Sequence, residues 1–202
     1  AVSVTWDDAA RYMNWLSKKD GLPPAYREKD GKMVAVHPIM TGYRLPTEAE
    51  WVFAARYEGG HRPTDKPLKY PWGGKMPPPI NSGNYADDTA SGQLPVIIRG
   101  YSDGYLFAAP VGKYPPNKAG LFDLGGNVAE WIHDYYDVYT SSGNEVHRDP
   151  TGPETGNLHV VRGASWHHWS ITQLRLSYRD YTLKPRNDIG FRIGRYATET
   201  PK

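Results

Sequence analysis

PPNKAGLFDLGGNVAEW, residues 115–131, is the stretch on which the reading of this chain turns. It runs from a Pro-Asn turn through the glycine pair Gly125-Gly126 into a short apolar segment. Downstream lies a surface excursion, 138–157, with SSGN, DPTGP and TG, and then three candidate strands: HVVRGASW, LRLSYRDY and DIGFRIGRY. In the second of these, Leu174, Leu176 and Tyr178 alternate with Arg175, Ser177 and Arg179, which predicts a half-buried strand. Upstream, residues 62–118 are dominated by Pro, Gly, Asn and Asp, with AAPVGKY as a strand candidate; so long a connection predicts ordered, purposeful loops.

Two helices precede these loops. The first follows Thr5 as N-cap through WDDAARYMNWLSKKDG, with Ala9, Tyr12, Met13 and Leu16 at helical spacing and Gly21 as the stop. Asp7 and Asp8 suit the positive end of its dipole. The second lies in GYRLPTEAEWVFAARYEGG, where Thr47 and Glu50 have capping-box spacing, Trp51, Ala54 and Ala55 form the buried face, and Gly59-Gly60 ends it. Two helices followed by short strands among loops make an α+β chain, read as one domain over 1–202 with a frayed tail at 196–202.

Composition removes several function classes. The 202 residues contain no cysteine, so they offer no disulfide, thiolate nucleophile or Cys-ligated metal. The 24 basic and 22 acidic residues are scattered without a basic stripe, which argues against nucleic acid as a partner. No apolar run approaches the roughly 20 residues that span a bilayer. The opening AVSVTWDD has neither the charged nor the apolar region of a signal peptide. The 7 Trp and 15 Tyr against 4 Phe predict amphipathic rings both in the core and along grooves.

Eight motifs now stand in order: GYRLPTEAEWVFAAR (42–56), YPWG (70–73), GNY (83–85), SDGYLFAAPVG (102–112), PPNKAGLFDLGGNVAEW (115–131), VVRGASW (160–166), LRLSYRD (174–180) and NDIGFRI (187–193). Together, from Val4 to Arg195, they resemble the formylglycine-generating enzyme family, the sulfatase-modifying-factor domain. The resemblance implies an asymmetric, loop-rich fold akin to C-type lectins. Domains of that family begin some tens of residues before VTWDDA, so their first strands are expected to be missing here or supplied by another segment or chain.

The resemblance also implies two structural calcium ions. One would use the side chains of Asp123 and Glu130 with the carbonyls of Gly126 and Val128; the other, the Asn84 side chain and Tyr85 carbonyl with Asp103 and the Tyr105 carbonyl. Calcium takes six to eight oxygens, mixed carboxylate and carbonyl, and glycines let the backbone curl around it. A lone loop aspartate is ordinarily a solvated or capping carboxylate; spacing and family context together reverse that expectation. Calcium supply and the habits of relatives favour an extracytoplasmic location, periplasmic or secreted.

The family's oxidases hold copper between two thiolates, in the segment that here reads Ser165-Trp166-His167-His168-Trp169-Ser170-Ile171-Thr172-Gln173. Thiolates stabilise Cu(I) and imidazole does not simply replace a pair of them, so neither copper nor iron is expected. Read as a strand, the segment points His167 and His168 to opposite faces, unable to chelate one ion. His133-Asp134 are adjacent, and His61, His147 and His159 fall in apparent loops. Ser165 lacks a GxSxG elbow, Asp180 reads as an ion-paired strand residue, and Arg192 is expected to pair with Glu48 or Glu50.

What remains is a groove of flat rings: Trp166, His167, His168, Trp169, Tyr178 and Tyr181. Such side chains bury large area with few rotamers to freeze. About half, Trp166 especially, are expected to pack the core, with one or both of His168 and Trp169 exposed. The expected function is a calcium-stabilised binding module for a peptide or protein ligand; the alternative is an enzyme of the family with unidentified chemistry.

Overall fold

The computed structural model describes residues 1–39, 41–57, 67–138 and 148–197. Gly59-Gly60, His61, His147 and the end of the tail lie outside the described residues.

Helix α1 spans Trp6–Lys19. Thr5 caps it, and Asp8 returns the bond to the Thr5 backbone N–H, a complete capping box. Its buried face is Trp6, Ala9, Ala10, Met13 and Ser17, whereas Tyr12 is exposed. The expected face was rotated because Ser17, apolar by neither pattern nor type, is buried as the acceptor of the Tyr43 N–H. Strands β1 (Tyr26–Lys29) and β2 (Lys32–Ala35) form an antiparallel hairpin against α1. Helix α2 (Glu48–Ala55) starts at the expected Thr47–Glu50 capping box and buries Trp51 and Ala55.

The central sheet has order β5-β4-β3-β6, from β3 (Ala129–Tyr135), β4 (His159–Arg162), β5 (Arg179–Thr182) and β6 (Ile189–Phe191). β3 pairs antiparallel with β4 and parallel with β6. Residues 129–134 are buried on both faces. Ala129 and Trp131 join the α1 cluster with Val161 and Ile189, while Ile132 joins the α2 cluster with Trp51, Val160 and Leu176. Alternation along β3 thus glues a helix to each side of the sheet. A third cluster, Tyr70, Tyr85, Ile98, Tyr101, Ala164 and Leu174, fills the loop region.

Two strand expectations are corrected. AAPVGKY (108–114) forms no strand. In 174–178 the alternation is produced by turns: Leu174 N–H donates to Ser170 O, Tyr178 N–H to Arg175 O, and Leu176 N–H crosses to Lys69 O. Both leucines are buried, but pairing in β5 begins only at Arg179. His159 is also corrected. It lies on β4, with its ring stacked on Trp6 at 3.6 Å and on Tyr135 at 4.3 Å.

The glycine pair of the opening stretch is required by close approach. A Cβ on Gly125 would stand 2.1 Å from the Pro71 ring, which brings the 123–127 turn hard against the 70–73 loop.

Candidate functional site

Asn84 is fully buried. Its Nδ2 donates to Phe107 O at 2.8 Å, but its Oδ1 is buried without a partner. Asp103 spans the same place: Oδ2 accepts from Tyr85 N–H and Oδ1 from Tyr105 N–H, each at 2.8 Å. Those are the two residues whose carbonyls the family pattern assigns to calcium. Asp103 N–H in turn donates to Asp87. Burial, reinforced by the Asp87 charge, pushes the Asp103 carboxyl up to about 7. Among the described residues no group of three or more His, Cys, Asp or Glu side chains gathers to hold a metal, so a hard cation here would draw on the unpartnered Asn84 oxygen and backbone carbonyls besides Asp103.

The 123–130 segment is arranged differently. Asp123 has φ 58 and accepts from Gly112 N–H at 2.8 Å. Glu130 is held bidentately by Arg192, at 2.6 and 2.9 Å, and accepts from Trp51 Nε1 at 2.8 Å. The expected Arg192 partner is therefore corrected. Glu48 is taken by Arg179, at 2.6 and 2.9 Å, and Glu50 by Arg44, at 2.7 Å twice. The parallel register explains it: Glu130 faces Gly190, and Arg192, two residues on, projects to the same side. Glu130 thus carries a guanidinium and an indole before any metal is considered.

The SWHHW segment is a turn, not a strand. Even so, the two histidines diverge: His167 is exposed and His168 is 5% exposed. Trp166 is buried in the core, T-shaped against Phe107, and Trp169 is 43% exposed. His167, His168 and Tyr178 line an open cavity of about 500 Å³ together with Gln173, Asp180, Arg186 and Asp188. Trp169 is not among its lining residues, and Tyr181 packs on Tyr136 at 4.3 Å. The ring pattern alone missed the charged half of this cavity. Arg186 donates to Asp180 at 2.8 Å and to Asp188 at 2.9 and 3.1 Å, and Ser165 Oγ donates to Asp188 at 2.8 Å. The alternating charges of Asp180 and of PRND (185–188) were the available signal.

His168 is fixed in one tautomer. Its Nδ1 accepts from Ser165 N–H at 3.1 Å, so the ring proton sits on Nε2. Burial lowers its pKa to about 4, keeping the ring neutral near pH 7. These 202 residues place a neutral imidazole and no thiol in this segment.

A loop-rich α+β sheet flanked by two helices, with the histidine turn at one end, defines a class of proteins. The chain belongs to the sulfatase-modifying factor enzyme 1-like domain family, whose model matches residues 1–197. It is 35% identical over 167 residues to the formylglycine-generating enzyme of Thermomonospora curvata, covering 82% of this chain and 44% of that protein. It is 34% identical over 166 residues to the "Inactive C-alpha-formylglycine-generating enzyme 2" of Mus musculus, covering 82% of this chain and 37% of that protein. Among solved structures it resembles Treponema denticola variable protein 1, with TM-score 0.68 and 28% identity over 96% of this chain and 69% of that one. The chain spans about half or less of the length of these curated relatives. Among the described residues no helix is long and apolar enough to cross a membrane.

Proposed function

We propose that this domain is a non-catalytic, calcium-braced binding module that recognises a peptide or protein ligand at the cavity beside the 165–169 turn. The observation that carries this reading is the cavity itself: His168, in the segment where the resemblance places the oxidases' thiols, lines it with Tyr178, and the neighbouring Asp188 is committed to Arg186 and Ser165. The hydroxyl–carboxylate pair here, Ser165 with Asp188, has its carboxylate held by Arg186 through both oxygens, which makes it a weak base. One calcium ion would take the Asn84 and Asp103 side chains with the Tyr85 and Tyr105 carbonyls, a reading supported by the buried, unpartnered Asn84 Oδ1. Asp123, Glu130 and the Gly126 and Val128 carbonyls would hold the second, with Arg192 sharing Glu130. Such ions brace loops and take no part in chemistry. An extracytoplasmic location accords with calcium supply. The test is a fragment and peptide library screened by NMR against the calcium-loaded chain. Saturable shifts clustered on Trp166, His167, His168 and Tyr178 are expected; a folded chain in which no compound moves those signals removes the reading.

A further inference from the structure

The cavity carries a specific electrostatic and hydrogen-bonding signature. Its lining holds one guanidinium, Arg186, against two carboxylates, Asp180 and Asp188, so it bears excess negative charge. Asp188 is consumed: its oxygens accept from Arg186 Nε and Nη2 and from Ser165 Oγ. Asp180 is less so. One oxygen accepts from Tyr181 N–H and the other from Arg186 Nη1, and the side chain keeps 23% exposure.

The second, independent feature is His168. The residue is 5% exposed and its Nδ1 is occupied by Ser165 N–H. Its remaining donor, Nε2–H, has no protein acceptor among the described residues, in a side chain that lines the cavity. That donor opens to solvent in the cavity, so an oxygen of an entering ligand can take the place of water on it. Beside it stands the Tyr178 ring, nearly perpendicular to it at 6.0 Å and also lining the cavity. His167 joins this cavity to a smaller one of about 220 Å³, lined by Leu94, Leu106, Phe107 and Trp166.

Building on the groove reading above, we propose that the part of the ligand seated in this cavity is a small cationic group carrying a neutral oxygen beside its charge, as in an amino sugar or amino alcohol, with Asp180 meeting the cation and His168 Nε2–H donating to the oxygen. The ring-lined annex takes the ligand's apolar face. An anionic ligand is disfavoured, because Arg186 is already satisfied by two carboxylates and a further negative charge would meet Asp180.

Three pyranoses of one ring configuration test this: D-glucosamine, N-acetyl-D-glucosamine and D-glucuronate, cationic, neutral and anionic. Each is titrated into the calcium-loaded chain labelled with ¹⁵N-histidine, at mildly acidic pH where the amine is charged. The His168 ring signals report binding, and those of His133 and His159 report the fold. Glucosamine should bind saturably and at least about threefold more tightly than the other two, as expected of one partly exposed ion pair. Asp180→Asn should erase that preference. Glucuronate binding as tightly as glucosamine, or an unchanged preference in the variant, overturns the inference. Silence from all three sugars while library compounds still shift the groove overturns this inference alone. Silence from every compound overturns the groove reading as well.

Discussion

Replacing Glu130 by Gln removes one charge at the point where the sheet, α2 and the 123–130 turn meet. The Glu130 side chain is 6% exposed and receives Arg192 through two bonds and Trp51 Nε1 through a third. Gln offers one acceptor oxygen in place of two and leaves the Arg192 guanidinium, itself only 24% exposed, without a counter-charge. Breaking one side of a buried pair costs about 3–5 kcal/mol; partial exposure of Arg192 lowers the expectation to about 2–4 kcal/mol. In a domain of this size that is a fall in Tm of roughly 6–12 °C. The assay is urea unfolding in excess chelator, so that metal occupancy does not enter. Arg192→Met in the Glu130→Gln background should recover part of the loss, because the stranded cation is gone. A loss below about 1 kcal/mol, or strict additivity of the two changes, would refute the claim that this pair locks β3 to β6.

Three further outcomes follow from the same structure. Gly125→Ala should destabilise by about 1–3 kcal/mol, since its Cβ would enter the Pro71 ring; wild-type unfolding midpoints would contradict that packing. Trp169→Ala should leave stability within about 0.5 kcal/mol, its ring being 43% exposed, and, with Trp169 outside the cavity lining, should leave capture of a groove-binding peptide unchanged; weakened capture would contradict the placement of the binding surface in that cavity. Stability should also depend on pH between about 4 and 7. Burial lowers His133 to about 4, His159 to about 3 and His168 to about 4, below the unfolded value near 6.5, so the unfolded chain binds the extra protons and stability falls as pH drops from about 6.5 towards 4. Asp134 behaves oppositely: burial raises it to about 7 against an unfolded value of about 3.9, so the folded chain holds the extra proton and that contribution is lost progressively between about pH 4 and 7, opposing the histidines. Asp134→Asn should steepen the rise of stability with pH between about 4 and 7 in a pH series of unfolding midpoints; an unchanged slope contradicts this.

The helix starts were legible because caps are local. Thr5 and Thr47 each bond within three residues, and the sequence alone displays that spacing. The buried face of α1 was only half legible: Ser17 is buried through a bond to Tyr43, 26 residues away. The alternation at 174–178 misled for a related reason. Turns can bury every second side chain as a strand does, and only the distant Lys69 carbonyl distinguishes them. In the site, the rings advertised themselves by type, but Tyr181 and Trp169 do not line the cavity that His168 and Tyr178 share. Its charged wall depends on Arg186 bridging Asp180 and Asp188 across the turn between β5 and β6, which spacing does not reveal. Arg192 went to Glu130 instead of α2 because a parallel register, set by tertiary pairing, chose its partner.

The central claim is that this fold is braced by calcium and does not carry a redox metal. Its most direct test is the metal content of the chain purified without added metal. The account predicts two calcium ions per chain and only trace copper and iron. Stoichiometric copper or iron retained through purification, in place of calcium, would contradict it.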